Sequence, residues 1–253
     1  MTQDSRLSNM KIVLESPVFT LEAALKATVF GVDRLELCSS FPEGGETPGA
    51  GMLAYLKEKI DIPVFVMIRP PGGDFIYSSE EVEVMKKEIE ILRSHGADGF
   101  VFGVLRKNGS VNEKACKKLV QAAGENPCTF HRAFDVCRDR ENALEKIIEC
   151  GFSRILTSGG KKSVSEGLDT IIRLLELADN RVIIMPGGGM QPELVVPLKK
   201  TGFLREVHAS CKTFRKSARL KRDNEPEGVH NQFESDGIVT ISRRKVEEFK
   251  AEF

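Results

Sequence analysis

Eight short apolar runs divide this chain of 253 residues at nearly regular intervals, and helical patterns fill the segments between them. Each run closes on a polar residue or a glycine turn. Strand-like runs that alternate with helical segments predict parallel strands joined by helices. Eight such units in about 250 residues fit one (β/α)8 barrel, so we predict an α/β fold with a single TIM barrel domain. The predicted strands are Ile12–Glu15, Arg34–Cys38, Val64–Arg69, Gly99–Gly103, Thr129–Asp135, Arg154–Ser158, Val182–Gly187 and Glu206–Ser210.

Residue types that favour helix ends support this division. Thr20, Asp139 and Ser242 each precede a helical pattern and can cap its first turn. Ser78, followed three residues later by Glu81, predicts a capping box at the start of another helix. The helices therefore begin where the barrel prediction requires them.

Composition limits the partners and the compartment. The chain has 37 basic and 37 acidic residues, which disfavours nucleic acid or an anionic membrane as its main partner. No apolar run is long enough to span a membrane. The six cysteines form no CxxC pair, so we expect reduced thiols and a cytoplasmic protein. Residues 1–10 are polar and lack a secretory signal, so we predict a flexible N-terminal extension, with the barrel over residues 11–253.

Strand alternation sorts the polar candidates by the side of the barrel they face. In the fifth run, Phe130 and Phe134 share one face, so His131 and Asp135 should point into the barrel. The same logic turns Glu36 inward on the second strand. The other residues predicted to face inward are Cys38 on the second strand and Glu206, His208 and Ser210 on the eighth.

The carboxyl ends of these strands are where a TIM barrel carries its active site. A histidine and several carboxylates in a water-poor cup can exchange protons near neutral pH, so we predict catalytic roles for Glu36, His131, Asp135 and His208. Arg69 could grip a carboxylate or phosphate. The alternative is an internal salt-bridge network that only satisfies polar groups at the barrel mouth.

Glycine turns follow the last three strands. Backbone amides freed by glycine near the seventh and eighth strands form the commonest phosphate site of this fold. We therefore predict that a bound anion contacts residues of these turns together with Arg69. These are Ser158, Gly187, Gly188, Gly189 and Ser210. The alternative is that the glycines only let the chain turn into the next helix.

A soft metal is the other candidate ligand. Cu(I) prefers thiolate and thioether ligands, and Cys38 is the one cysteine predicted both inward and at the barrel mouth. His208, Cys211 or a thioether could assist it. No tetrahedral zinc spacing is present. The alternative for an isolated cysteine is a small buried apolar residue.

At these residues the sequence resembles the CutC family, which is named for copper homeostasis. The resemblance extends over nearly the whole chain from about residue 11 and implies a cytosolic barrel that is commonly a homo-oligomer. It also implies copper ligands at the tops of the first two strands. Cys38 matches the second position, but the first strand has Glu15, Ser16 and Pro17 where many members have a cysteine. The matching stretches include residues 33–39, 43–48, 66–70, 72–75, 96–99, 129–135, 156–159, 185–189 and 207–208.

Two functional hypotheses follow. The first is a copper homeostasis protein that binds Cu(I) at the barrel mouth through Cys38. The second is an enzyme that acts on a small anionic or phosphorylated substrate, with His131 as acid or base and Glu36 or Asp135 as its partner. Whether the protein is an enzyme stays open at this stage, and no exposed apolar stripe favours a scaffold that binds other proteins.

Overall fold

The structure, a computed structural model, describes residues 11–70, 72–216 and 237–253. Eight parallel strands form one sheet, which confirms the TIM barrel. The strands are β1 Val13–Val18, β2 Arg34–Leu37, β3 Val64–Met67, β4 Gly99–Phe102, β5 Cys128–Phe130, β6 Arg154–Thr157, β7 Ile183–Pro186 and β8 Glu206–His208. Neighbours in sequence pair in register, β8 pairs with β1, and a bridge between Gly187 and His208 joins β7 to β8. The predicted extension at residues 1–10 lies outside the described residues.

Helices surround the strands. They are α1 Leu21–Phe30, α2 Ala50–Lys57, α3 Ser79–Ser94, α4 Glu113–Ala123, α5 Arg140–Glu149, α6 Leu168–Ala178, α7 Val195–Lys199 and α8 Arg243–Ala251. The predicted N-caps Thr20, Asp139 and Ser242 each accept a hydrogen bond from a backbone amide three residues ahead. Ser78 and Glu81 form the predicted capping box at the start of α3. Within the described parts of the chain, no helix has the length and apolar character needed to cross a membrane.

Two apolar clusters show which residues of β2 face the helices and which face the barrel interior. Leu35 and Leu37 of β2 lie in the large cluster between strands and helices, as alternation predicts. Cys38, by contrast, lies in a small cluster inside the barrel with Phe65 and Met67. Since Cys38 faces inward, Glu36 two residues before it also faces the interior.

The fifth strand is shorter than predicted. It ends at Phe130, and Arg132–Val136 form a turn of 3-10 helix. His131 starts this turn, and its Nδ1 accepts a hydrogen bond from the amide of Ala133 at 3.3 Å. The prediction that Asp135 faces the barrel interior by strand alternation is therefore wrong, because the strand ends at Phe130, five residues earlier.

A two-stranded hairpin lies beside the barrel and was not predicted. It pairs β9, Lys212–Arg215, with β10, Ile238–Ile241. Phe214 contacts Phe41 edge to face, with ring centroids 5.9 Å apart. Arg215 donates to Glu22 of α1 at 2.5 Å. The basic residues Lys212 and Arg215 therefore lie on a strand that follows β8.

Candidate functional site

A cavity of about 640 Å³ opens at the carboxyl ends of the strands. Most of the predicted site residues line it: Glu36, Arg69, His131, Gly188, Gly189, His208 and Ser210. Four predicted residues lie behind this lining: Cys38, Asp135, Ser158 and Gly187. The structure thus brings together acid–base groups and amide donors from β2, β3, β5, β7 and β8.

A network of buried charges forms the floor beneath the cavity. Arg34 on β2 donates to Glu15 at 2.5 Å and also to Glu206. Arg154 on β6 donates to both oxygens of Glu206, at 3.1 and 3.2 Å. Both guanidinium groups lie against the ring of Phe65, at 4.6 and 4.9 Å from its centroid. Two positive and two negative charges offset each other here, and Glu15 is the member of this network that also contacts His208 above it.

His208 lies between two buried carboxyl groups. Its Nδ1 is 2.9 Å from Oε1 of Glu15, and its Nε2 is 3.8 Å from Oε2 of Glu36. Glu15 thereby orients the imidazole and turns Nε2 toward Glu36. The Cys38 thiol lies close to the Glu36 carboxyl group, but the buried Oε1 atom of Glu36 has no hydrogen-bond partner of good geometry among the described residues. Glu36 is therefore the carboxyl group of this set that is left available to a ligand in the cavity.

Burial separates the pKa values of these groups. Burial raises the pKa of Glu36 to about 7, His208 opposes the rise, and the charge of Glu15 adds to it. Burial alone would lower the pKa of His208, but the carboxylates of Glu36 and Glu15 outweigh it and raise that pKa. For Glu15, the effect of burial is overcome by Arg34 and His208, which lower its pKa to about 2. Glu36 can therefore change its protonation state near neutral pH, as a general acid–base group requires, with Nε2 of His208 at 3.8 Å.

His131 supplies a neutral donor at the opposite side of the mouth. Burial, with the nearby charge of Arg69, lowers the pKa of His131 to about 3. Its Nδ1 accepts the amide of Ala133, so the proton of the neutral ring resides on Nε2. That Nε2 atom is buried and has no partner in the described parts of the chain. His131 is thus arranged to donate a hydrogen bond to a ligand.

Arg69 is largely occupied by the chain itself. Its two terminal nitrogens donate to the carbonyls of Glu43, Gly45 and Gly73 at 2.7 to 3.2 Å. The ring of Phe75 lies 5.1 Å from its guanidinium carbon. Nε remains, buried and without a partner among the described residues. Three of the five guanidinium N–H groups are therefore used by the chain, and two remain, on Nε and on the terminal nitrogen that donates to Gly73.

Asp135 occupies the amide cradle that follows β6. It accepts the hydroxyl of Thr157 at 2.6 Å and the amides of Ser158 and Gly160 at 3.0 and 2.9 Å. The amide of Gly159 donates to the Thr157 hydroxyl. The donors of the β6 turn are therefore already directed at a carboxylate of the protein, which explains why Ser158 lies behind the lining.

The turn after β7 differs because its amides are free. Gly188 and Gly189 have φ angles of +91° and +69° and line the cavity. No acceptor for either amide exists among the described residues. The Gly187–His208 bridge aligns this turn with the end of β8, where Ser210 also lines the cavity. Arg132, which the sequence analysis missed because it lies on the 3-10 turn, completes this side of the mouth.

The soft donors of the barrel are few. The Cys38 sulfur and the Met67 methyl both lie near Gly45, since a Cβ built there would be 3.2 and 3.6 Å away from them. Burial, with the charges of Glu36 and Glu15, raises the pKa of the Cys38 thiol well above its usual value. Cys211 packs in the outer core near Lys245 and Glu248 of α8, and it also lines the cavity. The described part of the chain therefore lines this cavity with one thiol, Cys211, and two thioethers, Met67 and Met190, and places the Cys38 thiol behind Met67.

The harder donors form a closer group. One atom each of Glu15, Glu36 and His208 lie within 4.8 Å of one another, a set that suits borderline divalent ions better than Cu(I). However, Glu15 already accepts from Arg34 and His208, so both of its oxygens are in use. A cation there would also lie close to the Arg34 guanidinium. The geometry of this group accordingly fits proton sharing better than metal coordination.

The amino-acid sequence matches one protein family over most of its length. The sequence profile of the CutC family matches residues 12–213. A protein of Homo sapiens named copper homeostasis protein cutC homolog is 43% identical over 212 residues, which are 84% of this chain and 78% of that one.

Solved structures agree with the sequence match. The crystal structure of the copper homeostasis protein CutC from Streptococcus agalactiae has a TM-score of 0.73 and 32% identity, covering 79% of this chain and 99% of that chain. Deoxyribose phosphate aldolase from Aeropyrum pernix has a TM-score of 0.57 and 15% identity, covering 78% of this chain and 85% of that one. The second likeness is one of fold alone.

Proposed function

The chain belongs to the CutC family of copper homeostasis proteins, and we propose that its barrel mouth is the active site of an enzyme that moves protons on a small anionic substrate. Glu36 acts as the acid or base that reaches the substrate. His208 shares its proton, and Glu15 holds His208 in position. His131 and Arg69 bind an oxygen of the substrate through their free N–H groups.

One observation carries this proposal: the free oxygen of Glu36. A carboxyl group that is 4% exposed and lines the cavity, yet has an oxygen without a partner among the described residues, needs a ligand or water to satisfy it. The pKa of the same carboxyl, raised to about 7 by burial, suits proton transfer at neutral pH. A metal carrier would require neither feature.

The positive side of the mouth supports an anionic substrate. Arg69, Arg132 and Lys212 line the cavity, and the turn after β7 adds free amides. Gly187, Ser158 and Asp135 support this side from behind the lining, and Ser210 can add a hydroxyl. Since Asp135 fills the β6 cradle, we assign it a positioning role and leave acid–base chemistry to Glu36, His131 and His208.

The test has two steps. A thermal-shift screen of phosphorylated sugars, nucleotides and small carboxylic acids finds molecules that raise Tm. Those molecules are then incubated with the protein in D2O, and exchange of their C–H hydrogens is followed by 1H NMR. We expect exchange with the wild type and a loss of at least about 100-fold in Glu36→Gln, the usual scale of a general acid–base group.

Matched controls separate chemistry from folding. Glu58→Gln makes the same change at an exposed position of the chain and should leave exchange unchanged. His208→Gln should lower the exchange rate, while His95→Gln, at the end of α3, should not. Exchange by Glu36→Gln at the wild-type rate would contradict the proposal.

A second candidate is Cu(I) binding at Cys38, supported by the family name and by the proximity of Cys38 and Met67 to the same glycine. Thiol and thioether are both ligands that Cu(I) prefers. The raised pKa of Cys38 opposes it, because the thiol must lose its proton to bind the metal. We therefore rank this function below the enzyme.

An anaerobic Cu(I) titration against a competing chelator tests the second candidate. Cys38→Ser should weaken binding at least tenfold, whereas Cys116→Ser, another buried free cysteine on α4, should not. Equal and weak affinity in all three proteins would remove the copper site. Either result leaves the exchange experiment on Glu36 unaffected.

Two further properties belong to the proposal. We place the protein in the cytoplasm, since its six cysteines are free and buried. We also propose a homo-oligomer. Light scattering after size exclusion would give the subunit number, and a single-chain mass of 28.1 kDa at micromolar concentration would contradict it.

A further inference from the structure

The cavity has a second binding side that the acid–base groups do not use. The amides of Gly188 and Gly189 line it and have no acceptor among the described residues. Both residues adopt positive φ, which glycine reaches without strain. Adjacent free amides in such a turn are typical of phosphate-binding loops.

A guanidinium group lies directly over this turn. A Cβ placed on Gly188 would be 2.8 Å from Cζ of Arg132, so only glycine leaves room for the arginine. Nε of Arg132 donates to Asp135 at 2.8 Å, and one terminal nitrogen donates to Ser158 at 2.8 Å. The other terminal nitrogen has no acceptor within residues 11–70, 72–216 and 237–253. Asp135 and Ser158 therefore hold the arginine in one pose with a free N–H.

A second observation shows that the cavity offers a further hydrogen-bond donor to a ligand. His131 is 4% exposed, lines the same cavity, and has an Nε2–H without a partner among the described residues. His131 and Arg132 are neighbours in sequence, but one belongs to the buried end of the cavity and the other to its exposed rim. A ligand that meets both groups carries an oxygen function at one end and an anionic group at the other.

We propose that Arg132, Gly188 and Gly189 form a phosphate subsite, so that the substrate of the proposed enzyme is a small phosphate monoester. This inference rests on the proposed function, because it names the substrate class of the same site. The phosphate accepts the two amides and the free N–H of Arg132. The carbon skeleton extends toward Glu36, with an oxygen on His131 and Arg69. A cavity of about 640 Å³ is large enough for a short sugar phosphate.

Titration with inorganic phosphate and with glycerol 3-phosphate tests the subsite without any turnover. Binding is measured by isothermal calorimetry at constant ionic strength, with glycerol as the uncharged comparison. We expect both phosphates to bind the wild type, glycerol not to bind, and Arg132→Gln to weaken phosphate binding at least tenfold. Arg106→Gln removes an exposed arginine outside the cavity and should leave the affinity unchanged.

Two more variants protect the result from a folding artefact. Arg132→Lys keeps the charge and should recover part of the affinity, and Gly188→Ala should displace the arginine and weaken binding while Tm stays measurable. Wild-type affinity in Arg132→Gln, or no phosphate binding by the wild type, would overturn the subsite.

The acid–base proposal can be tested independently of the phosphate subsite. Glu36→Gln should bind inorganic phosphate as the wild type does, because the subsite does not include Glu36. Phosphate binding that depends on Arg132, together with no hydrogen exchange on any ligand, would retain the subsite and reject the enzyme.

Discussion

The Nδ1 atom of His208 lies 2.9 Å from Oε1 of Glu15, although the two residues are 193 positions apart in the chain. This contact joins the last strand of the barrel to the first and directs the other ring nitrogen toward Glu36. Glu15 is itself held by Arg34, so the floor of charges fixes the orientation of the groups above it. The relative positions of Glu15, Glu36 and His208 therefore depend on the pairing of β8 with β1, which closes the barrel.

Stability of the Glu36→Gln variant should reveal the titration of that carboxyl. The folded state raises the pKa of Glu36 from 4.5 to about 7, so it holds this proton more tightly than the unfolded chain. That contribution is complete below pH 4.5 and is lost as the pH rises to about 7. Glutamine mimics the protonated form, so Tm of the variant minus Tm of the wild type should increase from pH 4.5 to pH 8. A difference that is constant with pH, as expected for Glu58→Gln, would contradict the raised pKa.

His131 should show the opposite pH dependence. Burial lowers its pKa from 6.5 to about 3, so its contribution to stability is present above pH 6.5 and is lost as the pH falls toward 3. Over that range the wild type should lose Tm more steeply than His131→Gln, which has no ring to protonate. Parallel curves for the two proteins would mean that folding does not lower the pKa of His131. His95→Gln, at the exposed end of α3, serves as the control.

Removal of Arg34 should destabilise the barrel strongly. Arg34→Met leaves the carboxylates of Glu15 and Glu206 buried without this partner, and breaking such a pair costs about 3–5 kcal/mol. The exposed pair of Arg181 and Glu145 is the comparison, since water and salt screen this pair and Arg181→Gln should cost far less stability than Arg34→Met. Urea denaturation of both variants measures the two values. Equal losses of unfolding free energy would show that the buried charges of the floor stabilise the protein no more than a surface ion pair does.

A side chain at Gly99 should destabilise the protein, because it would collide with a ring inside the barrel. A Cβ there would lie 2.6 Å from the ring of Phe65, which is packed against Arg34 and Arg154. Gly99→Ala should therefore lower the free energy of unfolding by about 1–3 kcal/mol. Gly51 in α2 has open space around its Cα, so Gly51→Ala should raise that free energy by up to about 1 kcal/mol. A neutral Gly99→Ala would mean that the ring moves freely.

Asp135 should act on substrate binding through Arg132. Asp135→Asn weakens the acceptor for Thr157, Ser158 and Gly160 and releases Nε of Arg132. We expect weaker binding of inorganic phosphate, by roughly three- to tenfold, with little change in the hydrogen exchange rate at saturating substrate. Loss of exchange at saturation with unchanged phosphate affinity would assign Asp135 to the chemistry instead. The same calorimetric and NMR measurements distinguish the two outcomes.

The sequence alone was sufficient for the number and order of the barrel strands, the helix caps and the faces of β2. Alternation places Leu35 and Leu37 outward and Glu36 inward whatever the neighbouring strands do, because the strand period of two is a local property. Ser78 and Glu81 cap α3 for a similar reason, since both partners lie within one turn of helix. The sequence also indicated which strand ends carry ionisable groups.

Tertiary structure alone decided which of those groups act together. Asp135 lies on a 3-10 turn and not on the predicted strand, and donors from the β6 turn, distant in sequence, satisfy its carboxylate there. Glu36 has a pKa of about 7, while Glu15 has a pKa of about 2, because Arg34 lies against only one of two similar buried glutamates. Periodicity determines the direction of a side chain from its own segment, whereas desolvation and charge pairing depend on what the other seven strands bring within a few ångströms of it.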